Sequence, residues 1–180
     1  MKVALVYWSK TGNTEKVAQA INEGLTKENI DLDYWRIDEV EDHGFMDYDL
    51  YCIGFPSYSW HPPEPVTRFL KEHHRKHSKA GLIKPSSPRV EGKHALVFCT
   101  YSGPHTGIDE ATPAVKYVGQ YFEHIGIPVV AEWCILSEFI GNEINSTQGR
   151  MGDIRGKPTD KDLEKITRDT IKLVKSLKNQ

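Results

Sequence analysis

The sequence predicts an α/β protein built on an open, doubly wound parallel sheet of five strands with helices on both faces. Three observations predict it. Five short β-prone runs alternate with segments of helical periodicity. The intervals between runs are long enough for the helical crossovers that parallel strands require. The run Ala95-Leu96-Val97-Phe98-Cys99 is apolar throughout, as in strands buried on both faces. At 180 residues, with 38% hydrophobic and 10% aromatic side chains, the chain has the composition of one globular domain, 1–180, with a packed core.

Val3 to Trp8 is a β-rich apolar run that passes, across a polar turn, into a segment where Val17, Ile21 and Leu25 recur every four residues. Strand therefore leads to helix. Leu32 to Ile37 and Asp49 to Gly54 read as the second and third strands. Pro63 and Pro65 suit a helix start, and Val66, Phe69 and Leu70 give a short apolar stripe. The basic stretch Lys71 to Lys79 that follows is expected as a solvated helix end and loop. Ala95 to Cys99 is the fourth strand and ends in a turn-rich segment, Thr100 to Gly107. From Pro113, the residues Ala114, Val118, Tyr121, Phe122 and Ile125 keep helical spacing up to Gly126 and Pro128. Val129 to Leu136 is the fifth strand. Thr159 and Asp162 have capping-box spacing and open a last helix carrying Leu163, Ile166, Ile171, Val174 and Leu177. Two stretches, Glu72 to Lys93 and Ser137 to Pro158, exceed what the fold requires, and such segments usually carry function or mobility.

Composition removes several function classes. With 23 basic and 25 acidic residues there is no nucleic-acid footprint. Cys52, Cys99 and Cys134 are odd in number and never spaced C-x-x-C, so they read as buried reduced thiols rather than a disulfide framework or a zinc site. His73 and His77 have helical spacing but no matching acid or cysteine pattern, and no metal site is assigned. No apolar stretch approaches the ~20 residues of a membrane span, and the apolar start lacks a cleavage site. A cytoplasmic protein without a membrane span is expected.

In open α/β sheets ligands bind beyond the carboxyl ends of the strands, where strand order reverses. The turn after the first strand reads Ser9-Lys10-Thr11-Gly12-Asn13-Thr14, directly before a helix. The first turn of a helix has unsatisfied N–H groups and the positive end of the dipole, so a phosphate monoester there would collect backbone and hydroxyl hydrogen bonds. Helix capping accounts for one hydroxyl. Three hydroxyls with a glycine point to phosphate. The turn is neither G-x-x-x-x-G-K-(S/T) nor G-x-G-x-x-G, and it has no acid before Glu15 with which to hold a divalent metal.

This turn resembles the phosphate loop of the flavodoxin family, (S/T)-x-T-G-x-T directly after the first strand, which Ser9, Thr11, Gly12 and Thr14 match. The order of elements is similar across nearly the whole chain. The resemblance implies a flavodoxin-like strand order, 2-1-3-4-5, and FMN as cofactor, with Ser9, Lys10, Thr11, Gly12, Asn13 and Thr14 at its phosphate. It also implies that the flavin ring lies between the loops after strands three and four. The first loop, Gly54 to Pro63, is similar to the family's G-x-P-(S/T)-(Y/W) segment. It offers Pro56, Ser57, Tyr58, Ser59 and Trp60, with Tyr58 and Trp60 as stacking rings. The second offers Thr100, Tyr101, Ser102, Gly103 and His105, where small residues let the backbone approach a ring edge and Tyr101 is placed to stack. Its wording departs from the acidic, tryptophan-containing form common in the family.

The family's electron carriers are usually very acidic, and carboxylates near the flavin destabilise its anionic reduced form. This chain is nearly neutral, and neither candidate loop contains Asp or Glu. The resemblance therefore leaves two functions: an electron carrier serving a redox partner protein, and an FMN-dependent NAD(P)H:quinone oxidoreductase of the same fold, in which the flavin carries the chemistry and no catalytic side chain is assigned. The carrier is ranked first, as a monomer or homodimer. Arg150 and Arg155 are candidate anion contacts in the long segment before the last helix, although a solvated surface accounts for them better.

Overall fold

The structure, a computed structural model, describes residues 1–39 and 44–179. Strands β1 (Lys2–Tyr7), β2 (Asp31–Arg36), β3 (Leu50–Pro56), β4 (His94–Tyr101) and β5 (Val129–Leu136) form one sheet in the order β2-β1-β3-β4-β5. Every pairing is parallel. The connections are α1 (Asn13–Lys27), α2 (Glu64–Lys79) and α3 (Thr112–His124), and the chain continues through the short α4 (Glu143–Thr147) to α5 (Asp160–Lys178). No helix among the described residues is long and apolar enough to cross a membrane. The predicted fold class and strand order are those observed.

Alternation along β1 and β3 sends side chains to two cores. Ala4, Val6, Ile53 and Phe55 face α2 and α3, while Val3, Leu5, Leu50 and Cys52 face α1 and α5. The second core requires close approach of two helices: a Cβ on Gly24 of α1 would lie 2.8 Å from Thr170 Cβ of α5. Thr167 of α5 donates its hydroxyl to the Ala20 carbonyl at 3.0 Å. The start of α5 is the predicted box, with Thr159 Oγ1 accepting from the Asp162 amide and the Asp162 carboxylate accepting from the Thr159 amide.

Four expectations are corrected. β4 runs on through Thr100 and Tyr101, because β3 and β5 also extend: the Ser57 amide donates to the Thr100 carbonyl and the Ser137 amide to the Tyr101 carbonyl. Helix α2 is not short but has 16 residues, and His73 and His77 are not solvated. Both lie on its buried face, one and two turns beyond Phe69. Their rings behave as aromatic core: His73 stacks on Phe45 at 4.3 Å, and His77 Nδ1 lies 2.9 Å from the Tyr121 hydroxyl. A reading by polarity misplaces histidine whenever its ring has an aromatic neighbour supplied from elsewhere in the chain. Cys134 is half-buried rather than buried, since β5 is an edge strand, while Cys52 and Cys99 are enclosed and burial pushes their thiols far above the ordinary range.

Candidate functional site

Parallel strands end together, so the loops after β1, β3 and β4 meet at one edge of the sheet. Between them lies a cavity of about 550 Å³. That is within the range of roughly 300–1,000 Å³ typical of small-molecule sites. Ser9, Lys10, Thr11, Asn13, Thr14, Pro56, Ser57, Tyr58, Ser59, Trp60, Thr100, Tyr101, Ser102, Gly103 and His105 all line it. Gly12, also predicted, sits behind the lining as the residue before α1, with φ of +94°. That left-handed backbone favours glycine, and it lets the chain turn sharply from strand into helix.

The floor of the cavity is the β1 turn. No side chain caps the start of α1, so its first-turn amides lack intrahelical partners. Ser9, 6% exposed, accepts the Gly12 amide on its Oγ at 3.1 Å and keeps its hydroxyl hydrogen for another acceptor. Thr14 is 1% exposed and its hydroxyl is 2.8 Å from that of Thr100 at the end of β4. One hydrogen serves that pair, which leaves a second to donate. The Asn13 side-chain amide donates one N–H to the Glu138 carbonyl at 3.0 Å, a contact the sequence did not signal. Its side chain is thus a strut between α1 and the segment after β5. Lys10 and Thr11 are exposed at the rim. The first acid after the turn in sequence, Glu15, accepts the Tyr7 hydroxyl at 2.9 Å. Arg36 donates to the Ser9 carbonyl at 3.2 Å and stands over the Tyr7 ring, a cation beside the turn that sequence reading missed.

The walls are aromatic. After β3 the chain makes a two-residue hairpin in which the Tyr58 and His61 backbones exchange hydrogen bonds of 2.9 and 3.0 Å. Its central residues, Ser59 and Trp60, both have positive φ, +47° and +67°. This is the geometry of a tight turn normally given to Asn-Gly. A tryptophan held in the left-handed region is strained, and the turn presents it 56% exposed beside the cavity. Tyr58 meets Trp8 edge-on at 6.0 Å. Tyr101, in contrast, is 8% exposed and belongs to the core as much as to the cavity, and burial raises its phenol's pKa.

A further wall comes from the segment between β5 and α5, through Ser137, Glu138, Phe139, Ile140 and Asn145. It is tied down at several points. Buried Ser146 bonds both the amide and the carbonyl of Phe139, the Arg150 amide donates to the Pro104 carbonyl at 2.7 Å, and the Gly156 amide donates to the Glu138 carboxylate. Arg155 is engaged by Asp153 and Glu143, so it is not a spare anion contact. Glu138 of this segment and Glu110, from the turn before α3, both line a site whose two predicted loops contain no acid. Sequence length marked this segment, but nothing local marked which of its residues face inward. Among the described residues no group of His, Cys, Asp or Glu is arranged to hold a metal ion.

The donor set fits FMN. A phosphate suits uncapped amides with hydroxyls around them, and a flat ring suits a slot between aromatic walls. A sequence profile of the family described as Flavodoxin matches residues 5–126. A flavodoxin from Clostridium saccharobutylicum is 36% identical over 112 residues, a match spanning 62% of this chain and 62% of that relative's length. Among solved structures, a flavodoxin from the domain Archaea superposes with a TM-score of 0.66 at 21% identity, covering 99% of each chain. Flavodoxin 1 from Bacillus cereus gives 0.65 at 19% identity over 97% of this chain and 98% of that one. At these identities the superpositions speak for the fold.

Proposed function

The chain belongs to the flavodoxin family, whose members hold FMN and carry electrons, and from that premise we propose that FMN occupies this cavity and serves a redox partner protein. Bound there, FMN supplies the electron-transfer chemistry. The observation that carries the reading is the uncapped start of α1 set among the buried hydroxyls of Ser9, Thr14 and Thr100. The α1 amides, Ser9, Thr11 and the Thr14–Thr100 pair donate to the phosphate, while exposed Lys10 offsets its charge from the rim. Trp60, Tyr58 and Tyr101 confine the ring and exclude water from its faces, and the small residues Ser102 and Gly103 bring backbone groups to its polar edge. Asn13 acts through Glu138, holding the outer wall in register with the phosphate turn. No side chain in the cavity is asked to form a bond or relay a proton. The apolar side chains beside the opening, Trp60, Phe139 and Ile140, supply the surface across which a partner approaches.

The test is spectroscopic. FMN-loaded protein, freed of unbound flavin and kept anaerobic, is given NADH, then NADPH, then dithionite. A carrier retains its flavin, keeps its colour with both nucleotides and bleaches with dithionite. Loss of flavin on desalting refutes the cofactor assignment, and rapid bleaching by either nucleotide refutes the carrier in favour of a reductase.

A further inference from the structure

Glu110 lies outside both candidate loops in sequence, yet it touches both. Its Oε1 accepts the backbone N–H of His105 and of Thr106, each at 2.7 Å, while its carbonyl accepts the hydroxyl of Ser57 from the loop after β3. Successive amides converging on one point form an anion-binding concavity. Here the chain fills that concavity with its own carboxylate. The loop it grips is already folded tightly back, since the Gly107 amide donates to the Gly103 carbonyl at 3.1 Å and a Cβ on Gly103 would lie 2.6 Å from the Gly107 oxygen. Without a partner, the His105 and Thr106 amides would turn to solvent or to any ligand acceptor within reach. Glu110 is also among the residues lining the cavity, and its carboxylate is held against the loop after β4.

We propose that Glu110 is a positioning residue for the cofactor: it clamps the loops after β3 and β4 at a fixed separation and sets one negative charge in the wall between them. The clamp acts before any ligand arrives, and the charge acts against whichever redox form of the ligand is the more negative. This inference rests on the FMN reading, but its structural half is measurable in the apoprotein. Two variants separate the halves. Glu110→Gln keeps an acceptor oxygen for the two amides and removes the charge, while Glu110→Ala removes both.

Amide hydrogen exchange followed by NMR in apoprotein is expected to show His105 and Thr106 protected in the parent and in Glu110→Gln, and at least tenfold faster in Glu110→Ala. In FMN titrations Glu110→Ala is expected to lose at least tenfold in affinity for the oxidised cofactor, and Glu110→Gln to stay within about threefold. Glu110→Gln is then expected to bind reduced relative to oxidised FMN about tenfold better than the parent, seen as a rise in reduction potential. Unchanged protection in Glu110→Ala overturns the clamp, and an unchanged potential in Glu110→Gln overturns the role of the charge. Should Glu110→Ala fail to fold, Glu110→Met, which fills the same space without an acceptor oxygen, takes its place, and unchanged protection of His105 and Thr106 there overturns the clamp. If the parent protein does not bind FMN, the cofactor reading fails while the exchange data still decide the clamp.

Discussion

Replacing Thr14 by valine tests the part of the site that sequence could not pair. Thr14 and Thr100 are 86 positions apart, 1% and 3% exposed, with their hydroxyl oxygens 2.8 Å from one another. Valine has nearly the shape of threonine, so Thr14→Val removes one hydroxyl without opening a cavity and leaves the Thr100 oxygen buried beside a methyl group. An orphaned buried hydroxyl costs about 1–3 kcal/mol. With a urea m-value near 2 kcal/mol/M for a chain of this size, a mid-range cost of about 2 kcal/mol lowers the apoprotein midpoint by about 1 M. Thr100→Val has a similar cost for the same reason. The double variant replaces both partners by apolar groups, so its cost falls short of the two single costs added together by about 1 kcal/mol. FMN affinity falls most in the double variant, which keeps neither hydroxyl hydrogen to donate, whereas each single variant keeps one. The assay is urea unfolding of the apoprotein, followed by fluorescence titration with FMN. Single costs that add in the double variant within about 0.3–0.5 kcal/mol would refute the hydroxyl pairing.

Other expectations follow from single contacts. Gly54→Ala places a Cβ 2.0 Å from the Phe98 ring, inside the core shared with α1 and α5. It is expected to destabilise the apoprotein by about 1–3 kcal/mol, and a urea midpoint unchanged from the parent contradicts the packing described. Trp60→Gly relieves a left-handed tryptophan, so the apoprotein gains up to about 1 kcal/mol while FMN affinity drops, and a variant that is less stable yet binds as before removes Trp60 from the site. His77 has its pKa lowered to about 4 by burial first, then by the neighbouring charges of His73, His74 and Lys76. Its unfolded form binds a proton near pH 6.5 that the folded form refuses, so stability rises with pH between about 4 and 6.5. His77→Phe should flatten that rise, and equal urea midpoint shifts from pH 4.5 to pH 7 in both proteins speak against it.

What sequence reading reached was whatever is local. The strand runs, the helix periodicities, the Thr159 box and the turn before α1 are each written within a few neighbouring residues, and apart from the end of α2, which runs on to Lys79, each stands where expected to within one or two positions. Trp60 and Tyr58 line the cavity from the loop after β3 named for them, although in sequence a Pro-rich aromatic turn that merely covers the sheet end reads the same. What escaped depends on partners far along the chain. Thr14 finds Thr100, Asn13 finds the Glu138 carbonyl, and Ser57 finds the Glu110 carbonyl, across 86, 125 and 53 positions. Glu110 and Glu138 were missed for the same reason, since both lie outside the two loops in which acids were sought. His73 and His77 were read by polarity, and the buried ring of Phe45 that makes them core lies in a different part of the chain.

The central claim is that the turn Ser9 to Thr14 holds a phosphate, and the comparison of FMN with riboflavin, which lacks it, tests that claim most directly. Apoprotein titrated with each flavin should quench FMN fluorescence with one-to-one stoichiometry and bind riboflavin at least tenfold more weakly. Adding Thr11→Val should narrow that gap by weakening FMN alone. Equal affinity for the two flavins would contradict the account, because a cavity that holds the ring without preferring the phosphate leaves the open start of α1 and its hydroxyls without a ligand.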